Sequence, residues 1–437
     1  MRIAVVGAGV TGLVVARELL RRGHKVTLIE RDIVGGLAAG FPYPGNPNVY
    51  LERFYHHIFR SDTLVQQLVW EAGLERNLIW RPTLSGVIAS GKPWPMRGPV
   101  DLLRFRPVGT LADRLRLGWA LFRLRRVAQW QELDGVTCRE FFARHGAQVG
   151  YERLWLPLLF AKFARYGEEA SAAFLWGRIV PRSTSRRWGQ ECLGYLRGGF
   201  QRLFQHLADE LRQAGCQVIV GQNVTAVVPG SPCRIELQGH CVECDRIVWT
   251  ASLGLLANLV GKSQAAAVTG NLPQHPYVAA TVLILAMRRS QSPFYWLNNI
   301  DRDITFGAVI EHTHLADPAD YGGEHILYVV NYHEIGDKRF AVGSPEELLK
   351  YHEPSLRRIF PGFDHRDISR MFLCQAPFAS PVYTKGFGKK MPAYRGLLPG
   401  IDICNMQQVY PFDRNMNHCV QNALTYVHTC YDAPVSA

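Results

Sequence analysis

Three groups of residues in this chain could do chemistry. The first is Gly7-Ala8-Gly9-Val10-Thr11-Gly12, with a carboxylate, Glu30, eighteen residues beyond Gly12. Glycines at this spacing suit a dinucleotide. Gly7 permits a tight turn, Gly9 lets the backbone approach a pyrophosphate, and Gly12 lets a helix pack closely on a strand. Val10 and Thr11 open that helix, whose N-terminal N–H groups and positive dipole end favour a diphosphate. Glu30 can accept from both ribose hydroxyls. The second group is Phe54-Tyr55-His56-His57-Ile58-Phe59. Two imidazoles here could move protons or hold a substrate, or be one buried and one solvated histidine. The third is Glu311-His312-Thr313-His314. Strand alternation puts Glu311 and Thr313 on one face and the two histidines on the other. Glu311 or His312 could face a substrate as acid or base, or simply end a strand. A third metal ligand is missing, so no metal is expected.

These residues need elements to hold them. Arg2–Val6 is a β-branched run that reads as a buried parallel strand, residues 13–22 as a helix stopped by Gly23, and Val26–Ile29 as a second strand. Together they make the βαβ setting of a dinucleotide site. Residues 100–180 read mainly helical, punctuated by Pro107 and Pro157. Residues 277–287, 306–311 and 325–332 read as strands. Tyr328 and Tyr332 could wall a substrate site or be core residues.

The chain has 437 residues, 47% hydrophobic and 20% charged, which excludes disordered and fibrous classes and suggests two to three domains. Its net charge is +12, and forty of its 49 basic residues are arginine. Such a balance points to an anionic small-molecule partner or to arginine spread over the surface. Lys162, Arg165, Arg178, Arg182, Arg186 and Arg187 form one cluster, in which Lys162 and Arg186 could hold a diphosphate or carboxylate. Eight arginines between 97 and 126 form another, interleaved with Leu, Trp119 and Phe122. There, residues 110–130 could touch an anionic membrane or pack on their own core with a solvated face. No recognition fold for nucleic acid is seen, and none is expected as a partner. No uncharged apolar stretch is long enough to span a bilayer. The N-terminus has no leader pattern, and the ten scattered cysteines suit reduced thiols, so a cytoplasmic setting is expected, with or without membrane contact. Cys241 and Cys244 form a CxxC without a second close pair, so strand residues are a better reading than a metal site.

After Glu30 the chain runs Arg31-Asp32-Ile33-Val34-Gly35-Gly36-Leu37. This E-x(4)-GG continuation resembles the FAD-binding superfamily of amine oxidases, protoporphyrinogen oxidases, phytoene desaturases and UDP-galactopyranose mutases. The resemblance implies FAD, with Gly36 and Leu37 close to it and Arg31 either paired with phosphate or solvated. Gly198-Gly199-Phe200, then Asn223-Val224-Thr225-Ala226-Val227, resemble the family's return to the FAD domain, with Val224 at the adenine. Asp245 to Thr250 resembles its D-x-V-I-x-T strand, ending near the cofactor at Thr250. Residues 401–417 resemble the strand–loop–helix that closes over the flavin, which implies roles there for Asp413, Met416 and Asn417. Asn405 stands where many members have Gly, and the Gly–acid pair is absent. The H-I-F string is similar to one in the mutases, whose histidine lies beside the flavin and matches His57. His56 would then meet the substrate.

The resemblance implies an α/β fold with a discontinuous Rossmann-like FAD-binding domain, residues 1–92, 190–260 and 385–437. A mixed α+β substrate domain takes 93–189 and 261–384. The function implied is dehydrogenation of a small-molecule, lipid- or sugar-pathway substrate by hydride transfer to FAD. The alternatives are a non-redox mutase of a nucleotide sugar and a flavin-binding scaffold without turnover. Gly9→Val is expected to abolish FAD binding by blocking approach to the pyrophosphate; a flavin-to-protein ratio equal to wild type would contradict this.

Overall fold

The computed structural model describes residues 1–184, 186–187, 190–261, 264–266 and 276–432. Strand β1 (Arg2–Val6), helix α1 (Val10–Arg21) and strand β2 (Lys25–Glu30) form the expected βαβ unit. Gly23 ends the helical segment at φ 77°, a left-handed backbone that glycine adopts without strain. The strands β1 and β2 join a five-stranded parallel sheet in the order 217–220, β2, β1, 246–249, 401–403. Its members come from distant parts of the chain. All run the same way, so Gly7, Glu30, Thr250 and Cys404 gather at one edge, where the strands' carboxyl ends open a crevice.

Close packing sets that edge. A Cβ on Gly12 would lie 1.8 Å from the Gly7 carbonyl oxygen, and one on Gly7 would lie 2.6 Å from Thr250 Oγ1. Thr250 Oγ1 donates to the Val6 carbonyl at 2.8 Å, tying strand 246–249 to the turn. Helix Gln201–Gln213 covers the sheet with Leu203, Phe204, Leu207, Ala208 and Leu211 buried.

A seven-stranded sheet forms the second layer system, in the order 368–381, 277–287, 325–334, 308–311, 296–299, 85–89, 92–95. Tyr277–Met287 is buried at every position, as suits a strand covered on both faces. Strands Ser85–Ala89 and Lys92–Pro95 belong to this sheet, through parallel pairing of 85–88 with 296–299. The expected boundary at 92 therefore cuts a hairpin of the larger sheet. A helical layer lies over it, including Leu111–Arg125, Leu156–Phe163 and Ala172–Thr184. Thr110 with Asp113 and Thr137 with Glu140 close capping boxes that start two of its helices.

Glu52 ties the seven-stranded sheet to the start of helix Gln201–Gln213. It is fully buried and accepts from the Phe200 amide at 2.8 Å and from Tyr195 Oη at 2.9 Å, while Tyr328 Oη donates to its carbonyl at 2.7 Å. Burial pushes its carboxyl up to about 7. Cys241–Cys244 is a strand, with Cys241 exposed and Cys244 buried, so the two thiols face opposite ways. Gly12→Ala should destabilise the protein by about 3 kcal/mol through overpacking against the Gly7 carbonyl. Denaturant unfolding would show it, and an unchanged midpoint would remove the close-packing account.

Candidate active site

Two cavities meet between the sheets. The first, of about 890 Å³, is a groove along the edge described above. Gly7, Gly9, Val10, Thr11, Glu30, Arg31, Gly36, Leu37, Thr250 and Met416 all line it, so the local fingerprint and the distant matches converge on one surface. Two glycine turns touch on its floor. The Gly35 amide donates to the Ala8 carbonyl at 2.8 Å, and a Cβ on Gly36 would stand 3.0 Å from Gly9 Cα. Both backbones are thereby bare toward the groove, as a pyrophosphate and a ribityl chain require. Glu30 sits at the end of β2 with Oε2 accepting from Ala8 N at 2.8 Å and Oε1 from Asp32 N at 3.0 Å. Each oxygen keeps a further lone pair for a ribose hydroxyl. These residues fit a bound FAD. Met371 to Phe378, from the edge of the seven-stranded sheet, form the opposite wall.

The second cavity, of about 540 Å³, is lined mainly by apolar side chains of the helical layer and the large sheet. Phe54, His56, Arg414 and Asn415 line both cavities and mark the junction. His57, Lys162, Tyr332 and Asp413 line the second alone. His56 Nδ1 lies 2.5 Å from the Phe54 carbonyl oxygen, so Nδ1 carries the proton and Nε2 is left as an acceptor. His57 Nδ1 lies 3.0 Å from Tyr295 Oη, and its ring packs edge-on against Phe59, Tyr295 and Trp296. Burial holds both imidazoles neutral, His56 at about 4 and His57, with Arg182 nearby, at about 3.

Charge is concentrated at this junction. Arg125, Lys162, Arg178, Arg182 and Arg414 line the second cavity, and Asp413 is the one acid among its lining residues. Asp413 meets Lys162 at 3.3 Å and Arg178 at 3.2 Å. Burial alone would raise its carboxyl, but Lys162, Arg178 and Arg414 outweigh burial and hold it well below the usual carboxylate range. Arg414 donates to Tyr332 Oη at 3.1 Å, and Lys162 Nζ stands 4.5 Å from the Tyr332 ring centre. Burial would raise the Tyr332 phenol, yet these cations win and bring it below the ordinary tyrosine value.

Several expected roles fall elsewhere. Glu311 and His312 line neither cavity. Glu311 is buried and accepts from the Gln291 amide, at 3.2 Å to Oε2, and from the Ser292 amide at 3.1 Å. His312 is buried against Tyr195, Tyr321 and Tyr328, with Nε2 2.9 Å from Tyr321 Oη. The strand ends at Glu311 and His312–His314 is a 3-10 turn, so the expected alternation stops there. Asp413 faces the second cavity rather than the groove, because the two cations capture it. Asn417 accepts from the Leu64 and Val65 amides, at 2.9 and 3.3 Å, and caps helix Thr63–Glu71. Val224 pairs with Leu237 in a separate hairpin and is not among the groove residues. Arg186 lies in a two-residue strand, and its side chain falls outside the described residues. Sequence reasoning missed Arg414, which stands beside Asp413 but carries no spacing signal of its own.

A sequence profile described as flavin containing amine oxidoreductase matches residues 10–390. The chain belongs to that family. FAD is its cofactor, and it is an oxidoreductase. Among curated proteins it is 24% identical over 352 residues to D-amino acid dehydrogenase 2 of Pseudomonas aeruginosa, covering 74% of this chain and 75% of that protein. Among solved structures, reduced UDP-galactopyranose mutase superimposes with a TM-score of 0.76 at 16% identity, covering 99% of this chain and 96% of that one. Cyclohexylamine oxidase from Brevibacterium oxydans gives 0.72 at 16% identity, covering 98% and 99%. At such identities the structures establish a shared fold with this oxidoreductase.

The Tyr332 phenol supplies a test of the junction. As pH rises, the Tyr332 hydroxyl should ionise before an ordinary tyrosine, whose pKa is about 10. Tyrosinate ultraviolet absorbance of the cofactor-free protein should show this early step in the native chain and not in Tyr332→Phe. An identical titration of the two proteins would refute the cationic setting.

Proposed function

We propose that this flavoenzyme dehydrogenates a small, largely apolar molecule that carries an anionic group, bound in the second cavity. The observation that carries this reading is the junction: one apolar cavity opens onto the FAD groove through His56, Arg414 and Asn415, with cations in excess around it. Bound FAD supplies a two-electron acceptor that takes a hydride from the substrate.

The chain's own residues have separate tasks. The apolar walls, including Leu154, Leu158, Leu159 and Val330, exclude water and hold the substrate body. Arg182 has no ion-pair partner among the described residues, and Arg178 and Lys162 must share one carboxylate. The lining therefore retains positive charge that a carboxylate or phosphate would neutralise. His56 Nε2, the free acceptor at the junction, would take the proton of the O–H or N–H adjoining the C–H bond that bound FAD would oxidise. Burial above all, and Arg414 in addition, make that imidazole a weak base. An anionic substrate lowers the local positive potential and makes it a better one. Tyr332, held by Arg414, accepts or donates a hydrogen bond beside the reacting region. The mutase reading shares only the fold and has no observation of its own in this cavity.

Anaerobic titration of the holoenzyme with panels of apolar acids, phosphates, amines and uncharged analogues tests this reading. Anionic members should bleach the flavin stoichiometrically. Arg182→Ala should raise KM for such a substrate about tenfold, a charged hydrogen bond's worth, with kcat changed less than about twofold. Turnover seen only after chemical reduction of the flavin would overturn the dehydrogenase reading. Bleaching by amines alone would overturn the anionic one.

A further inference from the structure

Helix Leu111–Arg125 turns an apolar stripe away from the protein. Leu117, Ala120 and Leu124 bury its inner side. Leu111, Leu115, Trp119 and Phe122 lie between 45% and 55% exposed. At about 100° per residue these four fall within roughly 80° of arc, opposite the buried side. Trp119 and Phe122 stack with ring centres 5.6 Å apart. The neighbouring helix Pro99–Arg104 adds exposed Val100 and Leu103. A helix packed on its own core with a solvated face would show polar residues here.

Arginines border the stripe on both sides. Arg116 and Arg123 follow one edge and Arg114 and Arg125 the other, while Arg126, at the helix end, lies over the stripe with its guanidinium 4.9 Å from the Phe122 ring centre. Residues 97–126 contain two acids, and both are engaged. Asp101 binds Arg97 at 2.8 Å, and Asp113 caps Thr110 with Arg116 at 3.9 Å. Arg104, Arg106, Arg123, Arg125 and Arg126 enter no ion pair among the described residues.

We propose that this helix docks the protein on the surface of an anionic lipid bilayer, in the membrane plane. The leucines and aromatic rings would enter the acyl boundary while the guanidinium groups meet lipid phosphates. No helix among the described residues is long and apolar enough to cross a membrane, and this one needs only to lie on it. Pro99, Gly118, Leu121, Phe122 and Arg125 belong to the same two helices or their ends and also line the second cavity. Docking thus sets one wall of the cavity against lipid. The docking stands on exposed side chains alone; loading of substrate from the bilayer rests on the dehydrogenase reading above.

Sedimentation of the FAD-loaded protein with vesicles tests the surface without any turnover, so a failure of the redox reading leaves this measurement intact. The protein should partition onto phosphatidylcholine vesicles containing phosphatidylglycerol, and at least tenfold less onto phosphatidylcholine alone. Leu115→Gln with Trp119→Gln keeps the charge and should weaken partitioning at least tenfold with flavin content unchanged. Arg123→Gln with Arg126→Gln should weaken it about fivefold per arginine. Absence of partitioning onto the anionic vesicles at low salt would overturn the proposal. So would partitioning that the Leu115/Trp119 variant leaves unchanged. An oligomer of the native chain that this variant dissolves, without vesicle binding, would assign the stripe to a second copy of the chain and refute the lipid.

Discussion

Asp413 is a half-buried carboxylate set among cations, and the geometry of the junction follows from it. Its charge is affordable in that setting only because Lys162 and Arg178 meet it directly, each from a different helix of the upper layer. The C-terminal loop is thereby tied to the helical layer. The next residue, Arg414, is directed to Tyr332 on the large sheet. One acid therefore aligns three parts of the protein around the point where the cavities meet. Removing it would leave Lys162 and Arg178 without the carboxylate they share.

The two cavities obey opposite physical rules. The groove is built from backbone: glycines without side chains, a helix N-terminus, and amides turned toward a diphosphate. The second cavity is built from side chains: mainly apolar walls, with His56, Arg414 and Asn415 at the end nearest the groove. Neutral histidines suit the border between them. A protonated imidazole there would add to an already positive site, and burial together with the arginines prevents it.

The groove was legible in the sequence because its signals are local. Gly7, Gly9, Gly12 and Glu30 lie within one βαβ unit, and close packing makes glycine nearly obligatory at positions 7 and 12. Strand 277–287 was legible for a similar reason, since a strand covered on both faces needs apolar residues throughout. The second cavity was less so. Glu311 and His312 have the residue types of a catalytic pair, but amides and tyrosine rings from remote segments enclose them. Asn417 looked like a cofactor ligand by motif, yet a helix from residues 63–71 claims its oxygen. His56 and His57 are adjacent in sequence, and only the fold sets one at the junction and the other deeper in the cavity. The helix at 111–125 was ambiguous because arginines and apolar residues alternate along it, and which side faces inward depends on what packs beneath.

The parallel sheet carries a consequence for the making of the protein. Its central strand, Arg2–Val6, comes before its neighbours in the chain. Its neighbours at 246–249 and 401–403 follow hundreds of residues later. Pairings so far apart in sequence form slowly and leave strand edges open in the meantime. The nascent chain therefore carries its nucleotide fingerprint hundreds of residues before the strands that complete the groove.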